Sequence, residues 1–154
     1  MQYPQAEQEL REALEVFETC LETPIVPGEF GAWSRYIQES WPAVSEQVQH
    51  QVHNSHRQQL AEIARQDTEM FARIKQIKAE DVGICQELEE LAGYVNRLAE
   101  QAPHLERTPA AKQDSVAEDL IRRGLSFITR VKTQEVGVRT WLSEAFNRER
   151  GSGD

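Results

Sequence analysis

Apolar residues recur along most of the chain at spacings of three and four positions, which places them on one face of an α-helix. The first stripe predicts a helix over residues 4–21, and two prolines and a glycine within residues 23–28 end it. The second stripe predicts a helical segment over residues 29–64, which we expect Pro42 to kink or restart.

The third stripe is the longest and predicts a helix over residues 70–98, which we expect Pro103 to end. Asp67-Thr68 reads as an N-cap signal before it. After a polar connection, the fourth helix is predicted to start with Asp114 or Ser115 as its cap. No strand-like alternation or internal repeat interrupts these patterns.

Four amphipathic helices with mostly short links predict an all-α fold, an antiparallel up-and-down four-helix bundle. We assign one domain to residues 1–150 and a flexible tail to residues 151–154. A coiled-coil dimer is less favoured, because the stripes are wider than two residues in seven and contain aromatic residues. All four stripes should converge on one core. Among its buried side chains we expect Trp33, Phe71, Phe127 and Leu142.

The composition is that of a folded, soluble domain, with 39% hydrophobic and 28% charged residues among 154. No apolar run approaches the roughly 20 residues of a membrane span, and no secretion signal is recognisable at the N-terminus. The net charge of −9 repels phosphate backbones, so we expect neither nucleic acid nor membrane as a partner. Cys20 and Cys85 lie on apolar stripes, which favours a reducing, cytoplasmic location; a disulfide between them requires their helices to touch there.

The charges are unevenly distributed. Residues 80–100 are rich in acidic side chains and residues 122–150 in basic ones. We expect two solvated faces that attract each other within the fold, in preference to a basic docking patch.

Sequence patterns typical of catalysis are absent: there is no glycine-rich phosphate loop, no paired-cysteine zinc spacing and no His-Glu-x-x-His. The chain is therefore predicted not to be an enzyme. His50, His53 and His56 follow one another at intervals of three, but positions six apart differ by about 120° around a helix, so the three cannot face one ion together. His56 lies on the apolar stripe between Val52 and Leu60.

Two further polar residues interrupt apolar stripes. Asp81 lies on the third stripe and Gln134 on the fourth. Together with His56 they indicate either a polar layer in the core or the remnant of a metal site. A buried carboxylate is costly without partners, so we expect Asp81→Asn or Asp81→Leu to be tolerated or even stabilising.

Three segments resemble the hemerythrin-like family. Residues 141–151, Trp-Leu-Ser-Glu-Ala-Phe-Asn-Arg-Glu-Arg-Gly, are similar to the Leu-x-x-Ala-Phe-Asn-Arg-Asp-x-Gly ending of some bacterial members. Residues 24–28, followed by Trp33, resemble the opening of the family's second helix, and residues 71–81 resemble its third. The resemblance implies a four-helix bundle whose core holds two irons through histidines and carboxylates.

Most of the iron ligands that the resemblance implies are replaced. The family's ligand positions correspond here to His50 or His53, Asn54, Asp81, Gln134 and Val138. The first helix has no histidine and presents Leu14 and Phe17 on its core face. The resemblance thus favours the fold and argues against the iron function.

These observations predict a metal-free, hemerythrin-like helical bundle that acts as a binding or regulatory module, with a protein partner, no cofactor and no catalysis. The alternative is a sensor or redox protein that binds iron or zinc through altered ligands. The candidate ligands for that alternative are His50, His53, His56 and Asp81.

Overall fold

The computed structural model describes residues 3–66 and 70–152, and in this part of the chain all regular structure is helical. The elements are α1 (Tyr3–Glu22), α2 (Phe30–His50), a π-helical turn (Gln51–His56), α3 (Arg57–Gln66), α4 (Phe71–Leu105) and α5 (Ala110–Ser152). The predicted all-α class is confirmed. Helix α5 extends into the predicted tail, whose last two residues, like the predicted cap Asp67-Thr68, lie outside the described residues.

The helices α1, α2, α4 and α5 pack against each other around a large apolar cluster, the main core. Three aromatic rings meet in it: the Trp41 ring lies 5.5 Å from that of Phe17 and 6.4 Å from that of Phe127, centroid to centroid. Tilted aromatic pairs at these distances add to the stabilisation from apolar burial. The main core therefore joins side chains that are more than a hundred positions apart in the sequence.

A second, smaller cluster, the end core, lies where α3 meets α4 and α5. Its buried members are Leu60, Ile63, Ile74, Ile77, Val138 and Trp141. The expectation of one core is therefore wrong. The apolar stripes are continuous in the sequence pattern, but a polar residue separates the two clusters on each of three helical segments.

Two of the four side chains expected in the core are buried, Trp33 and Phe127. Leu142 is half-buried against the end core, and Phe71 is 48% exposed. The prediction for Phe71 is wrong because of the direction of the inward face at the start of α4. That face includes Ile74 and continues at Met70, four positions earlier, whereas Phe71, three positions earlier, lies outside it. Met70 packs against the end core in its place.

The connection between α1 and α2 forms as its composition predicts. Gly28 adopts a φ of 86°, a left-handed conformation that side chains disfavour, and the Glu29 amide donates to the Val26 carbonyl at 2.9 Å. The Trp33 indole donates to the Cys20 carbonyl at 3.1 Å, which ties the start of α2 to the end of α1.

The helix boundaries at Pro103 and Pro109 differ from the sequence prediction, and at Pro42 the predicted restart is absent. Helix α2 does not restart at Pro42, because α-helical geometry continues to His50. Helix α4 passes through Pro103 and ends two residues later, where Ala102 and Leu105 anchor its last turn in the main core. Helix α5 starts directly after Pro109, whose carbonyl accepts from the Lys112 amide at 3.0 Å, so it begins before the predicted cap.

Opposite charges link the helices, but mostly not in the predicted pairing. Arg130 of α5 pairs with Glu87 of α4, as expected for the acidic and basic segments. Two further basic residues of α5 pair with α1 instead: Lys132 reaches Glu18 at 2.9 Å, and Arg139 reaches Glu7 at 3.3 Å. Among the described helices, none has an apolar stretch that could span a membrane.

Candidate functional site

Three buried polar side chains meet between the two apolar clusters. His56, Asp81 and Gln134 are only 3%, 6% and 9% exposed. The His56 Nδ1 atom lies 2.9 Å from Asp81 Oδ1 and 3.1 Å from Oδ2, and the Gln134 amide nitrogen donates to Asp81 Oδ1 at 2.8 Å. The polar layer considered from the sequence is therefore present, and these three residues form it.

Each member of the polar layer occupies the position where its helix passes from one apolar cluster to the other. On α4, Asp81 lies between Ile77 of the end core and Ile84 of the main core. On α5, Gln134 lies in the same way between Val131 and Val138. These spacings of three and four residues keep both polar side chains on the inward face.

His56 reaches the layer as the last residue of the π-helical turn. A π turn is wider than an α turn and is found frequently at functional sites. Here it separates α2, which contributes to the main core, from α3, which contributes to the end core. The sequence shows the apolar stripe continuing through this segment and carries no signal that we recognised for the π geometry.

The hydrogen bonds assign the donors. The Asp81 carboxylate accepts, so His56 Nδ1 carries a proton, and the other ring nitrogen, Nε2, is free to accept from the Gln51 amide at 3.2 Å. Gln51 was not predicted as a site residue, because it lies off the apolar stripe. Among the described residues that are not solvent-exposed, no buried side-chain nitrogen or oxygen lacks a partner. The layer is thus a satisfied network, the condition under which buried polar groups are tolerated.

Three grooves reach the polar layer from outside. Groove A, about 440 Å³, lies between α4 and α5; its lining includes Gln134, Gly137, Trp141 and Arg73. Groove B, about 510 Å³, lies between α4 and the π turn with α3; its lining includes Asp81, Val82, Cys85 and Val52. Cleft C, about 70 Å³, is lined by His56, His50, Gln51 and Glu135 among others.

The structure brings together only two of the four candidate metal ligands. His56 and Asp81 are in contact, whereas His50 and His53 are exposed and line different openings, cleft C and groove B. Within residues 3–66 and 70–152, no group of three or more histidine, cysteine, aspartate or glutamate side chains is arranged to hold a metal ion. The imidazole and carboxylate that do meet already bond each other.

The two irons implied by the family resemblance do not fit these residues. Leu14 and Phe17 are fully buried in the main core, where α1 would have to supply a ligand. Val138 is part of the end core, and Gln134 donates its amide to Asp81. Iron needs several converging nitrogen and oxygen ligands, and apolar side chains fill the volume here.

An ion-pair cluster around the buried Glu135, beside cleft C, was missed from the sequence. Glu135, 8% exposed, accepts from Arg139 at 2.7 Å and lies 3.7 Å from the Arg11 guanidinium. Arg139 also reaches Glu7 of α1 at 3.3 Å. The spacing of four between Glu135 and Arg139 was the only local signal for this cluster. It ties the start of α1 to α5 at the level of the polar layer.

Both cysteines are free, and Cys85 lines groove B next to Asp81. Burial raises the pKa of the Cys85 thiol, and the negative charges of Asp81 and Glu89 raise it further. The folded state therefore holds the thiol proton more tightly than the unfolded chain does. This contribution to stability is complete below the ordinary thiol pKa and is lost as pH rises through the raised value.

We expect alkylation of Cys85 by iodoacetamide, measured in a Cys20→Ser background, to reach half its maximal rate at a higher pH in the folded protein than in urea, because only the thiolate reacts. Asp81→Asn should move the folded profile to lower pH, since it removes one nearby negative charge. Overlapping profiles for the folded and unfolded protein would contradict this assignment.

No protein-family model, curated protein or solved structure matches this chain.

Proposed function

We propose that this protein is a non-catalytic binding or regulatory module, an antiparallel, up-and-down four-helix bundle of hemerythrin-like descent in which a hydrogen-bonded layer replaces a metal centre. The observation that carries this proposal is the closure of the His56–Asp81–Gln134 network. Asp81 accepts from two neighbours, and the imidazole of His56 is bonded at both nitrogens. A metal ion at this place would have to break these bonds and gain ligands that the surrounding side chains do not offer.

The regulatory part of the proposal rests on Gln134, which belongs both to the layer and to the wall of groove A. The rest of this groove is mainly apolar, with Ile77, Val138 and Trp141 along it. Charged side chains, among them Arg73, Glu80 and Arg130, also line the groove, and an apolar side chain of a protein partner that reached its wall at α5 would meet the Gln134 amide. Displacement of that amide would remove a hydrogen bond from Asp81 and so change the polar layer.

Metal binding is the first test. Untagged protein is incubated anaerobically with ferrous iron, exposed to air and examined by absorption spectroscopy and metal analysis. We expect neither two irons per chain nor the absorption of an oxo-bridged di-ferric centre. In a calorimetric titration with zinc, we expect no stoichiometric site that depends on Asp81, so the wild type and Asp81→Asn should give the same result. Stoichiometric binding that depends on Asp81 and His56 would favour the metalloprotein alternative.

Occupation of groove A is the second test. An added Cβ at Gly137 meets nothing within 4 Å, so Gly137→Leu fills the groove without a steric conflict at its first carbon. Val136→Leu, at the neighbouring position, is the matched control because Val136 is 59% exposed. In quantitative affinity purification from the native cell, a partner of groove A should be retained by the wild type and the control and lost with Gly137→Leu. Equal retention by all three would reject groove A as the binding surface.

A further inference from the structure

Helix α4 carries a stripe of outward-facing residues along groove B, separate from the stripe that faces the core. We call the four residues Lys78, Val82, Cys85 and Glu89 the α4 seam; all four line groove B. Val82 is 58% exposed although it is apolar, and Cys85 is half-buried. The spacings of four, three and four are those of side chains that contact a neighbouring helix.

The second wall of groove B is apolar at its base and basic at its edge. Val52 and Leu60 line it from the π turn and α3, and Arg57 lies between them. An open groove of about 510 Å³ with this lining leaves apolar surface of α4 facing solvent. Exposed apolar surface framed by charges is typical of interaction sites.

We propose that groove B is the interface of a homodimer, in which α4 of a second copy lies antiparallel to α4 about a two-fold axis midway between Val82 and Cys85. In this register Lys78 of each copy lies opposite Glu89 of the other, and Val82 lies opposite Cys85. A two-fold interface has to be self-complementary, because the same surface is used by both copies. The α4 seam meets this condition in both charge and polarity.

The charges also select this arrangement over others. Among the described residues, neither Lys78 nor Glu89 takes part in an ion pair or hydrogen bond within its own chain. A parallel pairing in register would place Lys78 against Lys78 and Glu89 against Glu89, which is repulsive. Arg57 lines the same groove and adds a second positive group toward the partner's Glu89. The apolar centre provides the burial, and the flanking charges determine orientation.

This dimer does not depend on the proposed function. The α4 seam lies on groove B, whereas the proposed binding surface is groove A between α4 and α5. Either proposal can therefore fail without affecting the other, and the variants that test them are different.

Sedimentation equilibrium tests the association through a charge exchange. We expect the wild type to dimerise, and Lys78→Glu or Glu89→Lys alone to raise the dissociation constant by about tenfold or more, because each places like charges opposite each other. The double variant Lys78→Glu/Glu89→Lys should recover most of the lost affinity, and the remaining difference from the wild type should reflect repulsion between Arg57 and the lysine at position 89. Lys112→Glu, at an exposed position on α5, changes the net charge equally and should have no effect.

A mixed-disulfide experiment tests the register. One protein carries Cys20→Ser, Cys85→Ser and Val82→Cys; the other carries Cys20→Ser and keeps Cys85. Mild oxidation of an equal mixture should yield the mixed disulfide-linked dimer well above the twofold excess over either homodimer that random pairing gives, because only the mixed pair places sulfurs opposite each other. A monomeric wild type at millimolar concentration, a dimer insensitive to Lys78→Glu, or no more of the mixed species than the twofold excess from random pairing overturns the proposal.

Discussion

Replacement of Asp81 by leucine is expected to lower the free energy of unfolding by about 2–6 kcal/mol, since a buried donor left without its acceptor costs about 1–3 kcal/mol and two such donors remain. The reason lies in the partners that remain. His56 Nδ1 and the Gln134 amide both donate to this carboxylate, and both are buried. With leucine at position 81, two buried donors lose their acceptor, and no hydrogen bond offsets the free energy lost by removing them from water. The geometry thus reverses the sequence-based expectation that leucine is tolerated.

Asp81→Asn is the matched variant, because its shape is nearly unchanged. Its amide oxygen can take the place of Oδ1, which accepts from both neighbours, and we expect a loss of only about 1 kcal/mol, the value of one hydrogen bond. Urea unfolding followed by circular dichroism measures both variants. Similar, large losses for asparagine and leucine would show that the charge itself matters and would favour the metal-binding alternative.

A triple variant tests whether the three side chains of the polar layer stabilise the fold jointly or independently. If Asp81, His56 and Gln134 are all replaced by leucine, both donors to Asp81 are removed together with their acceptor, so the loss should be smaller than that of Asp81→Leu plus the losses of the other two single variants. Additive losses would indicate that the three side chains act independently, contrary to the geometry of the polar layer.

The polar layer could be predicted from the sequence because it interrupts a regular pattern. On α4 and α5, the apolar period is strong enough that a single polar residue stands out, and the spacing of neighbouring apolar residues places it inward. The hydrogen-bond partners could not be predicted in the same way. Gln51 reaches His56, five positions later, only because the π turn has a wider repeat than an α-helix, and Glu135 meets Arg11 only because α1 packs against α5.

Helix boundaries at prolines were the least predictable part of the fold. A proline removes one backbone hydrogen bond, but tertiary packing of the residues around it decides whether the helix continues. Ala102 and Leu105 are buried on either side of Pro103, and this packing extends α4 beyond the proline. The π turn is a similar case, since its geometry depends on how α2 and α3 are held by two separate apolar clusters.

Phe127→Ala is expected to destabilise the fold by about 3–5 kcal/mol, the usual cost of removing a buried phenylalanine side chain. The ring of Phe127 is 1% exposed and lies 6.4 Å from the ring of Trp41, so its loss leaves a cavity and removes an aromatic contact in the main core. Phe71→Ala is the matched control. Both are phenylalanines on an apolar sequence stripe, but Phe71 is half-exposed at the start of α4.

The control should lower the free energy of unfolding by no more than about 0.5 kcal/mol, as is usual for surface substitutions. Chemical unfolding of both variants, followed by tryptophan fluorescence, measures the difference directly. The periodicity of the sequence places both phenylalanines in the core. The difference between the two variants therefore tests whether Met70 packs against the end core in place of Phe71. A loss for Phe71→Ala as large as that for Phe127→Ala would mean that residue 71 is buried in solution and that α4 begins with a different face toward the end core.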